Sequence, residues 1–203
     1  MKIARLLACF AALLIFAATA SAQTTPTRIR GTVSAIDGNV VTIATREGNT
    51  VKVRMADNWG VAMVVPVTLA DIKENSFVGI ASIKGVGGRL EALEVLVFPD
   101  AMRGSNEGHY PWDLAPESMM TNATVTTVVA ADGGQALTLK YKGEGTQTIH
   151  VRPGVPIVTF GPAPARSDVK VGSKIFMGAQ KAADGSYTAA RIVIGKDGMQ
   201  PPM

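Results

Sequence analysis

The side chains best suited to chemistry are concentrated between positions 99 and 122. Glu107, His109 and Asp113 bring two carboxylates and one imidazole into a short stretch, and Met119 and Met120 follow. Thioethers together with an imidazole are soft ligands that suit Cu(I). These five residues are therefore a candidate metal site, although their irregular spacing matches no known ligand motif. No resident cofactor is otherwise predicted.

The same stretch contains Tyr110 and Trp112, in a chain with only 5% aromatic residues. One interpretation is that these rings anchor the connecting segment to neighbouring elements. The other is that they form a surface for a ligand or partner, together with His109 and with Trp59 from an earlier irregular stretch. Aromatic side chains at domain junctions are typical of recognition sites. The sequence leaves both interpretations open.

The sequence shows no set of residues typical of a catalytic site. The chain has two histidines, and His150 alternates with the apolar residues Ile149 and Val151 on a predicted strand, which places it on the solvent face. No Gly-x-Ser-x-Gly nucleophile elbow occurs. The glycine-rich run 85–88 joins two predicted strands, whereas a phosphate cradle needs a helix amino end behind it. The sequence therefore predicts that the protein is not an enzyme.

Residues 1–22 have the organisation of a secretory signal peptide. Lys2 and Arg5 precede an uncharged apolar run at 6–18, and Ala20 and Ala22 give the small-residue pattern of a cleavage site. The run is too short for a comfortable membrane span, and no second run of this kind follows. We therefore expect a periplasmic or secreted protein without a transmembrane span.

Cleavage after residue 22 would change the chemistry of the mature chain. It would remove Cys9, the single cysteine, and with it any disulfide or thiolate metal site. Removal of Lys2 and Arg5 would lower the formal net charge from +4 to +2. With this small charge and few aromatic residues on the predicted strands, a basic groove with stacked aromatics is not expected, so nucleic acid is not a predicted partner.

The elements that must position these residues are β-strands. Alternation of apolar and polar residues, interrupted by turns such as that at 37–39, predicts five strands in each half of the chain. They cover 28–36, 40–45, 50–55, 76–84 and 90–98, then 123–130, 136–141, 146–152, 173–182 and 187–194. No helical periodicity of ten or more residues follows the signal peptide.

The two halves of the chain repeat one another. The run 71–78 precedes the similar run 168–175 by 97 positions. At the same offset stand the pairs Gly88 and Gly185, Ala92 and Ala189, and Val95 and Ile192. A constant offset over such a length indicates two copies of one folding unit. Five short strands with an insertion after the third match the layout of an OB-type barrel.

The predicted fold class is therefore all-β, with two five-stranded OB-like antiparallel barrels related by internal duplication. The predicted segments are a signal peptide at 1–22, a first barrel at 28–98, a Trp-containing linker at 99–122, a second barrel at 123–196 and a disordered tail at 197–203. A single β-sandwich built from all ten strands is the alternative.

Segment 31–43, the run 71–78 and the glycine turn before the last strand of each half resemble an exported bacterial family of unknown function with tandem OB-like β-barrel repeats. The connector at 104–113 also resembles a segment of proteobacterial members. This resemblance implies a periplasmic β protein. It supplies no catalytic residues and no ligand.

The function predicted from the sequence is that of a periplasmic, non-enzymatic binding or interaction protein. Its partner would be an envelope protein or a small ligand, bound where the linker meets the barrels. A soft-metal carrier of the copper type, using the linker His and Met residues, is the first alternative. An envelope structural spacer is the second.

Overall fold

The computed structural model describes residues 26–131 and 133–203. Its strands are β1 (Thr27–Asp37), β2 (Val40–Thr45), β3 (Thr50–Pro66), β4 (Phe77–Lys84), β5 (Leu90–Val97), β6 (Gly108–Pro111), β7 (Met119–Ala131), β8 (Gly134–Tyr141), β9 (Gly145–Val151), β10 (Ile157–Phe160), β11 (Lys174–Lys181) and β12 (Tyr187–Gly195). The short 3-10 turns are Leu69–Asp71, Val86–Gly88, Asp100–Met102, Lys142–Glu144, Arg166–Asp168 and Lys196–Gly198. The predicted signal peptide lies outside the described residues.

Five strands close a first ring. β1 pairs antiparallel with β2 and β11, β2 pairs with β3, and β11 pairs with β12. A parallel pairing of β12 with β3 completes the circle, from Tyr187 opposite Val53 to Gly195 opposite Val64. The side chains that point inward form one apolar core, in which Ile192 is fully buried. Closure leaves no free sheet edge in this ring.

Five other strands close a second ring. β4 pairs antiparallel with β5 and β7, β7 pairs with β8, and β8 pairs with β9. A short parallel contact of Leu90 and Glu91 in β5 with Ile149 and His150 in β9 completes it. The buried core of this ring is aliphatic. The inward residues thus divide between two ring cores, which differs from the common interior that a single β-sandwich would have.

Each ring combines strands from both halves of the sequence. The first ring joins β1–β3 to β11 and β12, and the second joins β4 and β5 to β7–β9. The barrels predicted at 28–98 and 123–196 therefore do not coincide with the rings. Alternation shows that a strand has one buried face, but it does not specify which strand lies beside it.

Strand β10 connects the two rings. It pairs antiparallel with the end of β3, with Phe160 opposite Val64, and parallel with β5, with Ile157 opposite Val95. The sequence prediction had left this proline-rich stretch irregular. A third apolar cluster fills the junction beside it. Its buried members are Val64, Val158, Val193 and Met203.

Other segments are also more regular than predicted. β3 continues to Pro66, well beyond the predicted end at 55, because its second half pairs with β12 and β10. The tail at 197–203 was predicted to be disordered, but Pro201, Pro202 and Met203 are buried. Met203 contributes apolar area to the junction cluster, which explains why this end of the chain is held in place.

The run 71–78 and its counterpart 97 positions later form the same local structure. The backbone N–H of Lys73 donates to Ser76 Oγ at 3.0 Å, and that of Lys170 donates to Ser173 Oγ at 2.9 Å. A 3-10 turn precedes each pair. These Ser turns lead into β4 and β11, the strands that begin the last third of each copy.

Candidate functional site

A cleft of about 930 Å³ lies between the two rings. Strands β4, β5 and β7 form one wall, and β1, β11 and β12 form the other. The linker, the tail and β10 contribute most of the remaining lining residues. Much of its surface is aromatic or thioether. The side chains of these types are Phe98, Phe160, Phe176, Tyr110, Trp112, Met102, Met120 and Met203. A cavity of this size and character suits a drug-sized ligand with an apolar body.

The linker reaches the cleft because it folds back on the second ring. β6 pairs antiparallel with the first residues of β7, with Tyr110 opposite Met120. Asn122, a buried residue of β7, donates through Nδ2 to Tyr110 Oη at 3.2 Å and to the Ser105 carbonyl at 3.1 Å. A side chain at Gly79 would meet Asn122 Oδ1 at 2.6 Å, so glycine leaves room for this amide.

A β-bulge turns Glu94 toward the cleft. Ala92 and Val95 both belong to the core of the second ring, although strict alternation would place residues three apart on opposite faces. The register with β4 shifts at this point, and Leu93 is the extra residue. A bulge of this kind re-aims the side chains beside it. Glu94 consequently lines the cleft, yet it is only 4% exposed.

The Glu94 carboxyl has an unusual electrostatic environment. Burial raises its pKa to about 7, although the charges of Arg30 and Arg46 act in the opposite direction. The indole N–H of Trp112 also acts to lower this pKa, so it lies near the carboxylate. Trp112 Nε1 is itself buried and makes no hydrogen bond of standard geometry among the described residues. The indole N–H at the cleft is thus a buried donor without a well-formed hydrogen bond.

Two arginines of β1 hold Trp112 and Asp113 in place. The Arg28 guanidinium lies 3.8 Å from the centroid of the Trp112 ring, a cation–π contact. Arg30 is 5% exposed, donates through Nη2 to Asp113 Oδ1 at 2.8 Å, and donates through Nε to the Met203 oxygen. Burial acts to raise the pKa of Asp113, but the hydrogen bond and charge of Arg30 outweigh it and hold that pKa below its ordinary value.

The four aromatic and histidine residues predicted to form a binding surface are divided by the fold. Tyr110 and Trp112 line the cleft, with ring centroids 6.2 Å apart. Trp59 is 8% exposed and belongs to the core of the first ring. His109 points to the other face of β6, where Nδ1 lies 2.9 Å from Thr121 Oγ1 and the ring stacks on Tyr141. Burial lowers the pKa of His109.

The predicted metal ligands do not converge. Glu107 and Met120 line the cleft. His109 points away from the cleft on the other face of β6, and Met119 is paired with Pro111 of that strand. Asp113 is bound by Arg28 and Arg30. No group of three His, Cys, Asp or Glu residues able to hold a metal occurs among residues 26–131 and 133–203. The irregular spacing noted in the sequence reflects this lack of a common site.

Sequence reasoning missed Glu94, Arg28 and Arg30. Arg30 alternates with Ile29 and Gly31, a pattern that predicts a solvent-facing side chain, but the linker and the tail cover it in the structure. For Glu94 a signal existed. Strict alternation would place Glu94 on the same face as Ala92, so the strand required either an inward carboxylate or a bulge.

No protein-family model, curated protein or solved structure matches the chain. The resemblance to an exported family with OB-like repeats therefore rests on the sequence motifs alone. In the part of the chain that the structure describes, no helix has the length and apolar character needed to cross a membrane.

Proposed function

We propose that this protein is a non-enzymatic binding protein of the periplasm or extracellular space, and that the cleft between its rings holds a small ligand with an apolar body. The observation that carries the proposal is the cleft itself, which is walled by aromatic and thioether side chains from both rings, the linker and the tail. Apolar lining supplies affinity, and a few polar groups orient the ligand.

The side chains at the junction are already held by their neighbours, because Phe98 contacts Phe77 at 5.3 Å and Phe160 at 6.4 Å between ring centroids. A site that is formed before binding loses less conformational entropy when the ligand arrives. The metal-carrier alternative has no comparable support, since its residues lie apart. The spacer hypothesis stays a prediction.

The finer aspects of the fold belong to the same proposal. We infer that the two rings are OB-like and derive from an internal duplication in which the last two strands were exchanged between copies. The matching Ser turns at 73–76 and 170–173 support a common origin of the repeats. The connector that carries Trp112 and the tail that carries Met203 follow corresponding strands, and both contribute to the cleft.

Tryptophan emission tests occupancy of the cleft. The chain has two tryptophans, of which Trp112 lines the cleft and Trp59 lies in a ring core. Titration with a neutral arylalkyl probe, phenylbutanol, should change the emission of the protein in a saturable manner. The Trp112→Phe variant retains Trp59 and should lose that response. A response that persists in this variant, or no saturable change in the unmodified protein, would count against the cleft as the binding site.

A further inference from the structure

The cleft contains one feature that an apolar ligand alone would not require. Glu94 is a carboxyl group that lines the cleft with 4% of its surface exposed, and the neighbouring donor that lowers its pKa is the Trp112 N–H. A buried charge without a partner is costly. A carboxylate has about four acceptor positions, and the Trp112 N–H can occupy only one of them.

The positive groups near Glu94 are already engaged. Arg30 donates to Asp113 and to the Met203 oxygen, and Arg28 lies over the Trp112 ring and within 3.7 Å of Asp113. Arg46 forms an ion pair with Glu47 at 3.5 Å. The guanidinium groups therefore reduce the cost of ionising Glu94 without binding it directly. A positive group from outside the protein is the missing partner.

From this geometry we infer that the cleft binds an organic cation, an ammonium or amidinium group on an apolar body, with the positive group donating to the Glu94 carboxylate. The inference rests on the proposed function, and it names the ligand class for the same site. Tyr110, Phe98 and Phe160 line the cleft, and the faces of aromatic rings attract cations. The apolar body occupies the junction beside Leu96 and Val193.

The charges around the site agree with a monovalent cation. Arg28 and Arg30 are balanced by Asp113 and ionised Glu94, so an ammonium group enters a locally neutral setting. Glu107 and Arg191, which are opposite in sign, also line the cleft. An anionic ligand would instead require Glu94 to keep its proton. Cation and anion binding therefore depend on pH in opposite directions.

Three probes of one shape separate these cases: phenylbutylamine, phenylbutanol and phenylbutyrate, each titrated calorimetrically into the unmodified protein at pH 6 and pH 8. The amine stays protonated over this range. Because Glu94 ionises near pH 7, we expect amine affinity to rise about tenfold from pH 6 to pH 8, with little change for the alcohol. At pH 8 the amine should bind at least about tenfold more tightly than the alcohol.

Variants identify the residue responsible. Glu94→Gln keeps the shape of the side chain and should abolish both the preference for the amine and its pH dependence. Glu91 lies on the same strand but binds Arg152 outside the cleft. Glu91→Gln should therefore retain the preference for the amine and its pH dependence. Equal binding of amine and alcohol, or tighter binding of phenylbutyrate, overturns the cation site while the cleft remains a binding site. If none of the probes binds at millimolar concentration, both proposals fail.

Discussion

Glu94 and Arg191 stand 97 residues apart, the offset that separates the similar runs of the sequence, and they differ in charge and in exposure. Glu94 follows a bulge in β5, Arg191 follows a register shift in the pairing of β12 with β3, and each lines the cleft from its own ring. Glu94 is buried and its pKa is raised to about 7, whereas Arg191 is exposed. Two residues at this offset therefore carry opposite charges in different environments.

The difference comes from what covers each position. The connector after β5 returns as β6 and brings Trp112 near Glu94. The tail after β12 instead ends against β1, where the Met203 oxygen accepts a hydrogen bond from Arg30. The two rings are similar, but the segments that follow β5 and β12 differ, and the groups on the two walls of the cleft therefore differ as well. Because of this asymmetry, the cleft presents different groups on its two walls.

The largest expected effect comes from separating the two halves of the chain. A fragment of residues 26–98 contains β1–β5 but lacks β11 and β12, so its first ring cannot close as it does in the whole protein. We expect this fragment to show no cooperative thermal transition by circular dichroism. Mixing it with residues 99–203 should restore the transition. A fragment that melts cooperatively by itself would instead support a self-contained barrel at 28–98.

The strands, more than their arrangement, could be predicted from the sequence. Alternation locates the strands because it follows from one buried face, and the turns lie where glycine permits positive φ, as at Gly38 and Gly185. The pairing of β11 and β12 with β1 and β3 could not be predicted, because partner choice depends on long-range contacts. The cleft was predicted only in part: Trp112 and Tyr110 stood out by type, but the environment of Glu94 depends on a bulge and on covering segments.

A second prediction compares Glu94 with Arg191 directly. The folded-state pKa of Glu94 lies above the ordinary value of 4.5, so the folded protein binds the proton more tightly than the unfolded chain does. Stability is therefore highest when Glu94 is protonated and falls as pH rises from about 4.5 to about 7, by on the order of 3 kcal/mol. Glu94→Gln should remove this loss and be more stable than the unmodified protein at pH 8.

Urea denaturation at pH 5 and pH 8 measures the effect. Arg191→Gln is the matched control, because Arg191 lines the other wall of the cleft and is exposed, and its substitution should shift stability about equally at both pH values. If the unmodified protein and Glu94→Gln lose the same stability between pH 5 and pH 8, the raised pKa does not govern the pH dependence. In that case the contrast between the two positions would be one of exposure alone.

The smallest predicted effect concerns the ion pair that supports the Glu94 side of the cleft. Asp113→Asn removes the charge that Arg30 binds at 2.8 Å and leaves a buried guanidinium without its carboxylate. Since Asp113 is 46% exposed and Arg30 keeps its bond to the Met203 oxygen, we expect a loss of about 1–2 kcal/mol at pH 7.

The pH dependence of this loss has a defined sign. The pKa of Asp113 is lowered in the folded protein, so its contribution is complete above the ordinary value of 3.8 and disappears as pH falls through the folded-state pKa. Urea denaturation should therefore show that Asp113→Asn has a lower free energy of unfolding than the unmodified protein at pH 7, and that this difference is smaller at pH 3. Asp100→Asn is the control, because its pair with Arg103 is largely solvated and worth little. An equal loss of stability in both variants would mean that the Arg30–Asp113 ion pair contributes no more than a solvated one, and that Trp112 is positioned by Arg28 and the linker alone.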